Sequence, residues 1–208
     1  MNTRVVFAFI FLVAIASGFS EPTQQEVIAL MNKVEARVAA GDASALDDLL
    51  TLPGNWAVPA LIDIFKENYV AYGATPQMQA IGKKAALLAT SVSGGEEYLR
   101  KLLKKKPDDD PNWVFIQQDM GIKALIVADN RTAVRLFCGA LDEPEIGARA
   151  ANALAAMNLP GAPYSSKDKS GRTSASAESI NQWKQWWDSN ASNYAGSGDS
   201  QTVASPSP

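Results

Sequence analysis

The sequence predicts an all-helical protein. Alanine and leucine are abundant, whereas runs of β-branched residues are scarce. Nearly every segment repeats its apolar residues with the helical period of 3.6, and no segment sustains the apolar–polar alternation of a half-buried strand. Apolar residues make up 47% of the 208-residue chain, so there is enough apolar surface for a packed core.

The first 20 residues have the pattern of a secretory signal peptide. Arg4 supplies a positive charge, residues 5–16 carry no charge, and small residues follow up to Ser20. The apolar run is shorter than the roughly 20 residues of a membrane-spanning helix. We therefore expect cleavage after Gly18 or Ser20, export to a bacterial periplasm or the medium, and no stable membrane span afterwards. An uncleaved N-terminal anchor is the alternative.

Capping and breaking residues predict the helices that follow. Thr23 and Glu26 form a capping-box pattern, and the helix that they open ends at Gly41. Thr75 followed by Pro76 is another helix start, because proline is favoured in a first helical turn. The expected helices, in order, lie at residues 24–40, 45–50, 55–70, 76–93, 96–106, 113–128, 131–141 and 145–157.

A five-residue pattern occurs three times: a large apolar residue, glycine, any residue, a basic residue and alanine. The copies lie at residues 81–85, 120–124 and 146–150, which are 39 and 26 residues apart. Each copy opens an apolar helix face and follows another amphipathic helix, which indicates helix pairs. One pair alone cannot bury its apolar face, whereas stacked pairs form a continuous core. The small residues should let neighbouring helices approach closely.

Two stretches resemble HEAT repeats. AVPALIDIF at residues 57–65 resembles a first helix, and LDEPEIGARAANAL at 141–154 resembles the turn and second helix. The resemblance covers about residues 56–157 and is to the short bacterial type also found in phycobilisome-lyase-like proteins. It implies a right-handed, armadillo-type α-solenoid of about three helix pairs with flanking capping helices. The first two pairs depart from the family in their longer linkers and in having lysine instead of arginine.

The predicted organisation places a signal peptide at residues 1–20, the repeat domain at 21–159, an exposed loop at 160–178, a capping helix at 179–194 and a disordered tail at 195–208. The capping helix carries Ile180, Trp183 and Trp187 on one stripe, with Trp186 at its border. A terminal helix must cover an exposed core edge, so we expect these rings to be buried. An aromatic platform for a sugar or peptide is the alternative.

The residue types leave little catalytic chemistry available. The chain has no histidine, which excludes Ser-His-Asp and Cys-His arrangements and histidine-bound metals. Cys138 is the single cysteine and lies on an apolar helical stripe, so we expect a buried thiol. The Ser-x-x-Lys match at 166–169 lies in an expected loop, and the three aspartates at 108–110 lack the ligand spacing of a calcium loop. We predict no catalytic residue, cofactor or metal.

Charge and the resemblance together favour a non-catalytic scaffold that binds a protein or peptide. A net charge of −3 without a long basic stripe disfavours nucleic acid. The family geometry implies that second helices line the concave face, so their polar residues are the candidate binding residues: Gln79, Lys83, Lys84, Gln118, Lys123, Arg149 and Asn152.

Three alternatives stay open at this point. The basic residues Lys84, Lys123 and Arg149 could instead form an internal ladder with carboxylates of neighbouring repeats. The whole protein could recognise a cell-envelope glycan or lipid through its tryptophans or its lysine-rich helix. It could also be an accessory domain of an enzyme, since chemistry that uses only carboxylates needs no histidine.

Overall fold

The computed structural model describes residues 22–105, 111–144, 146–157, 159–163 and 175–195. Every regular element in these ranges is helical and none is a strand, which confirms the predicted all-α fold. No helix within them is long and apolar enough to cross a membrane. The expected signal peptide, the aspartates at 108–110, the Ser-x-x-Lys match, most of the expected loop and nearly all of the expected tail lie outside these ranges.

The predicted helices are present, and their ends differ by at most two residues when the short turns that follow α2 and α8 are included. The α-helices are α1 (Gln24–Ala39), α2 (Gly54–Phe65), α3 (Pro76–Ser91), α4 (Gly95–Lys104), α5 (Pro111–Ala128), α6 (Arg131–Gly139), α7 (Gly147–Ala156) and α8 (Ala177–Asn190). Two 3₁₀ helices, Ala43–Thr51 and Ala191–Tyr194, follow α1 and α8, and a π-helical turn, Lys66–Val70, extends α2.

The predicted start signals act as helix caps. The Thr23 hydroxyl accepts a hydrogen bond from the Glu26 amide at 3.3 Å, and the Glu26 carboxylate accepts one from the Thr23 amide at 2.7 Å. Thr75 accepts a hydrogen bond from an amide in the first turn of α3 at 3.2 Å, and Asn130 does the same for α6 at 3.0 Å. Each cap gives a partner to an amide that the helix itself leaves unpaired.

The helices pack as consecutive pairs: α2 with α3, α4 with α5, and α6 with α7. Between pairs, the main contacts join α2 to α4, α3 to α5, and α5 to α7. The element pair α1 and Ala43–Thr51 packs against the first helix pair, and α8 with Ala191–Tyr194 packs against the last. One apolar cluster therefore extends through all of these elements.

Two glycines of the repeated pattern lie in close contact with the chain around them. A Cβ atom on Gly82 would lie 2.6 Å from the Cβ atom of Tyr69, in the turn that extends α2. A Cβ atom on Gly147 would lie 2.5 Å from the carbonyl oxygen of Leu141, in the connection between α6 and α7. These distances are too short for any larger residue without a backbone shift. Both contacts lie within one helix pair, whereas the sequence predicted close approach of the next pair.

The first helices of neighbouring pairs begin side by side. A Cβ atom on Gly54, at the start of α2, would lie 2.5 Å from the carbonyl carbon of Gly94, just before α4. Since α2 and α4 start at the same end and each second helix returns from the other end, α3 and α5 run in the same direction.

The tryptophan stripe of α8 is buried. Trp183 and Trp186 are only 1% and 7% exposed, and their rings meet edge to face with centroids 5.5 Å apart. Trp187 is half-buried and its ring centroid lies 6.0 Å from that of Tyr194. Arg135 of α6 donates a hydrogen bond to the carbonyl oxygen of Tyr194 at 2.8 Å and binds Glu96 of α4 at 2.8 Å. The predicted burial is confirmed for Trp183, whereas Trp186, expected at the border, is buried and Ile180 and Trp187 of the predicted stripe are only half-buried.

Candidate binding surface

The side of α3, α5 and α7 that faces solvent is called the second-helix surface below. Each of these helices buries one face and leaves the other exposed or half-buried. The residues of this surface are Gln79, Lys83, Lys84 and Leu87 on α3, Phe115, Ile116, Asp119 and Lys123 on α5, and Arg149 and Asn152 on α7. Six of the seven predicted binding residues therefore lie on it.

Four of these side chains form a cluster between α5 and α7. Arg149 Nη2 donates a hydrogen bond to Asp119 Oδ1 at 3.3 Å, and Lys123 Nζ lies 2.8 Å from Asp119 Oδ2. The Arg149 guanidinium lies 5.0 Å from the centroid of the Phe115 ring, which is a cation–π distance. Phe115 is nevertheless 59% exposed. The cluster therefore holds an aromatic ring in place and leaves most of the ring in contact with solvent.

The corresponding residue of α3 binds a carboxylate of the element before it. Lys84 Nζ lies 2.8 Å from Asp47 Oδ2 in the 3₁₀ helix Ala43–Thr51. Lys84 and Arg149 thus form the cross-element pairs of the ladder alternative, whereas Lys123 pairs with Asp119 on its own helix. All of these side chains are partly exposed, so each pair contributes about 1 kcal/mol or less to stability.

Two of the remaining predicted residues are open to solvent. Gln79 and Lys83 are exposed on α3. The Gln79 amide makes a weak local hydrogen bond to the carbonyl of Ala74 at 3.4 Å. Lys83 makes no ion pair with any described residue. Its ammonium group is therefore free to pair with a charge from outside the described part of the chain.

Gln118 differs from the expectation of an exposed polar side chain. It is buried, and its Nε2 donates hydrogen bonds to the carbonyl oxygens of Leu102 and Lys105 at 3.1 and 2.7 Å. Both carbonyls lie at the end of α4, where the Leu102 oxygen also accepts a hydrogen bond from the Lys105 amide at 3.2 Å. Gln118 therefore joins α5 to α4.

Asn152 of α7 is half-buried, and its Oδ1 has no hydrogen-bond partner among the described residues.

Sequence reasoning missed the apolar part of the second-helix surface. Leu87 on α3 and Phe115 and Ile116 on α5 are large apolar residues that remain exposed. One signal was available, because residues 113–116 are four consecutive apolar residues at the start of a helix. Successive side chains on a helix point about 100° apart, so four in a row cannot all face the same core.

Polar side chains also lie near the first helices. Burial raises the pKa of the Asp63 carboxyl on α2, although nearby Lys66 acts in the opposite direction. Burial, and then the charge of Glu67, raises the pKa of Glu35 on α1. Burial and the charge of Asp63 raise the pKa of Tyr98 on α4. Within the described residues, no group of three or more acidic, cysteine or histidine side chains is arranged to hold a metal ion.

A depression of about 270 Å³ lies between the α6–α7 turn and α8. It contains two carboxylates, but each is neutralised by a lysine. Asp142 pairs with Lys184, and Glu143 lies 2.7 Å from Lys104 Nζ.

Cys138 lies inside α6 and is buried. Burial raises the pKa of its thiol to about 12. Only a thiolate is a good nucleophile or metal ligand, so this cysteine is inert at neutral pH. The prediction of a small buried apolar residue is confirmed.

The comparisons with known proteins assign no relative to this chain. No protein-family model matches the sequence, and neither a curated protein nor a solved structure matches it significantly. The residues quoted above therefore remain the only basis of the resemblance to HEAT repeats.

Proposed function

We propose that this protein is a non-catalytic, HEAT-type repeat scaffold whose second-helix surface binds a protein or peptide outside the cytoplasm. The exposed ring of Phe115, which lies 5.0 Å from the Arg149 guanidinium on this surface, is the observation that carries the proposal. The charge and apolar pattern of residues 1–20 supports export.

The packing order supports a solenoid of about three pairs, and its right hand is what the resemblance to HEAT repeats implies. Each helix pair makes its main contacts with the pair next to it in the chain, as in repeat proteins built by stacking. Stacked second helices provide a long, rigid surface, which suits recognition of another chain without a large rearrangement.

The apolar residues of the surface supply the affinity. Phe115, Ile116 and Leu87 are exposed on two helices that pack against each other. Burying a large apolar side chain stabilises a complex by about 1.5–3 kcal/mol. Aromatic residues and arginine are enriched among the residues that dominate binding energy at protein interfaces. Phe115 with Arg149 combines the two on a single surface.

The buried rings of Trp183 and Trp186 give no support to the sugar-binding alternative. A sugar stacks on an exposed aromatic face, and these faces are occupied by the core. The depression near α8 gives no support to an enzymatic role, because both of its carboxylates are paired with lysine.

Affinity capture with matched variants tests the proposal. The tagged full chain is produced in its native host, partners are crosslinked in place, and bound proteins are identified. We expect a partner that the wild type captures and that the double variant Phe115→Ser with Ile116→Ser loses. Ile28→Ser is the control, because Ile28 is an equally exposed apolar residue on α1. Equal capture by all three proteins would remove the assignment to this surface.

A further inference from the structure

Phe115 has a charged partner that the other exposed aromatic residue lacks. Phe115 and Tyr72 are the two aromatic residues among the exposed large apolar residues of the described chain. Tyr72 lies in the turn after α2 and makes no ring or cation–π contact with a described residue. The guanidinium of Arg149, from a different helix, lies 5.0 Å from the centroid of the Phe115 ring. The environment of the Phe115 ring therefore depends on where this guanidinium is held.

Asp119 holds the guanidinium at its edge. Arg149 Nη2 donates a hydrogen bond to Asp119 Oδ1 at 3.3 Å. Asp119 lies four residues after Phe115 on α5, so the carboxylate and the ring lie on the same face of the helix. A guanidinium is planar and its N–H groups form a rigid fork, so a hydrogen bond at its edge restricts the direction of its plane. Arg149 thus contacts α5 at two points, the carboxylate and the ring.

The other oxygen of the same carboxylate is also bound. Lys123 Nζ lies 2.8 Å from Asp119 Oδ2, and Lys123 follows Asp119 by another four residues on α5. Each oxygen of Asp119 therefore has its own cation. The contacts form a chain in which Lys123 holds Asp119, Asp119 holds Arg149, and Arg149 lies over Phe115.

We propose that Asp119 is a positioning residue of the second-helix surface. It orients the Arg149 guanidinium against Phe115 and so holds the ring in the orientation that receives an apolar side chain of the partner. This inference rests on the proposed function and specifies how the site is organised before binding. Immobilising a free side chain on association weakens a complex by about two- to tenfold. A ring that is already held avoids this loss.

A purely structural role for the Asp119–Arg149 pair predicts a different result. Both side chains are partly exposed, so the pair adds little to the stability of the fold. Removing the carboxylate should therefore leave the free energy of unfolding nearly unchanged and alter the ring alone. A measurement on the ring distinguishes positioning from general stabilisation of the α5–α7 contact.

Fluorine NMR of the full chain provides that measurement. 4-Fluorophenylalanine replaces Phe115, and in a second protein it replaces Tyr72 as the reference for an exposed ring without a contact. We expect the resonance at position 115 to differ from the reference in the otherwise unchanged chain. Asp119→Asn and Arg149→Gln should both move the resonance at position 115 towards the reference, with thermal unfolding shifted by at most a few degrees.

Two further variants separate the carboxylate from its surroundings. Asp119→Glu keeps the charge and should preserve more of the original resonance than Asp119→Asn does. Asp47→Asn is the matched control, because Asp47 is also a carboxylate paired with a basic residue of another element, Lys84 at 2.8 Å. Neither residue of that pair contacts an aromatic ring of the described chain. Asp47→Asn should therefore leave the resonance at position 115 unchanged.

Capture of the native partner connects the ring to binding. The Asp119→Asn protein should bind the partner about two- to tenfold more weakly than the wild type, and the Asp47→Asn protein should bind it equally well. The inference is overturned if Asp119→Asn leaves the resonance in place, if Asp47→Asn moves it as much, or if binding is unchanged although the resonance moves. The proposed function fails on a different observation, namely that Phe115→Ser with Ile116→Ser still captures the partner.

Discussion

At the residue scale, Gly82 determines how closely α3 packs on the end of α2. We predict that Gly82→Ala lowers the free energy of unfolding by about 1–3 kcal/mol, because the new Cβ atom would overlap Tyr69 and force a backbone shift. Gly139→Ala is the control, since a Cβ atom there would meet nothing within 4 Å. Urea unfolding measures both, and a Gly82→Ala protein as stable as the wild type would contradict the close approach.

Asp63 should make stability depend on pH in a defined direction. Burial raises its pKa above the usual 3.8, so the folded state holds the proton more tightly than the unfolded state does. The contribution of Asp63 to stability therefore falls as pH rises from about 4 through the folded-state pKa. We predict that Asp63→Asn, which keeps the size and removes the charge, stabilises the protein at pH 7 and has no effect at pH 3.

Asp42 should make stability depend on pH in the opposite direction from Asp63. Hydrogen bonds from the Ser44 hydroxyl, from Arg37 and from the Ser44 amide lower the pKa of Asp42 to about 2. Its contribution to stability is present above the usual pKa of 3.8 and is lost as pH falls towards about 2. Asp42→Asn should therefore destabilise the protein at pH 7. If Asp42→Asn and Asp63→Asn shift stability in the same direction at pH 7, the assigned environments are incorrect.

At the element scale, α8 depends on one ring. Trp183 is fully buried, so Trp183→Ala should lower the free energy of unfolding by about 3–5 kcal/mol. Gln185→Ala on the exposed face of the same helix is the control and should have little effect. Thermal unfolding followed by circular dichroism measures both. A small effect at Trp183, together with free access of a quencher to its fluorescence, would restore the aromatic-platform hypothesis.

The helices could be predicted from sequence more completely than the surfaces they form. Caps such as Thr23 and Thr75 act through hydrogen bonds to residues three positions away, so local sequence contains the information. The rotation of a helix about its own axis depends on all its neighbours. Gln118 and Lys123 both lie on α5 and both are polar residues typical of a surface. Gln118 is nevertheless buried and donates hydrogen bonds to the end of α4, whereas Lys123 is exposed.

The candidate site was predictable in part, because its basic residues follow a local pattern but their partners do not. The repeated pattern identified Lys84, Lys123 and Arg149 as equivalent positions, and each of them pairs with a carboxylate. Their carboxylate partners could not be chosen, because Asp47 and Asp119 lie 37 and 30 residues before Lys84 and Arg149. Phe115 was missed because an aromatic residue in an apolar run is more often a core residue.

At the scale of the whole molecule, an unpaired charge and exposed apolar residues occur together on the second helices. Lys83 has no ion pair among the described residues, and Leu87, Phe115 and Ile116 are three of the large apolar residues that remain exposed. Packing of the helices does not require Phe115 to be exposed or Lys83 to be unpaired. A surface that combines both features is therefore better explained by recognition than by folding.

Site-specific photo-crosslinking at Phe115 tests this account most directly. A photoreactive phenylalanine analogue replaces Phe115 in the full chain in its native host, and replaces Ile28 of α1, which is 49% exposed, in a parallel experiment. We predict a discrete adduct of protein size from position 115, reduced by a second substitution, Lys83→Glu, and no such adduct from position 28. The same adducts from both positions, or none from position 115, would contradict the assignment of binding to the second helices.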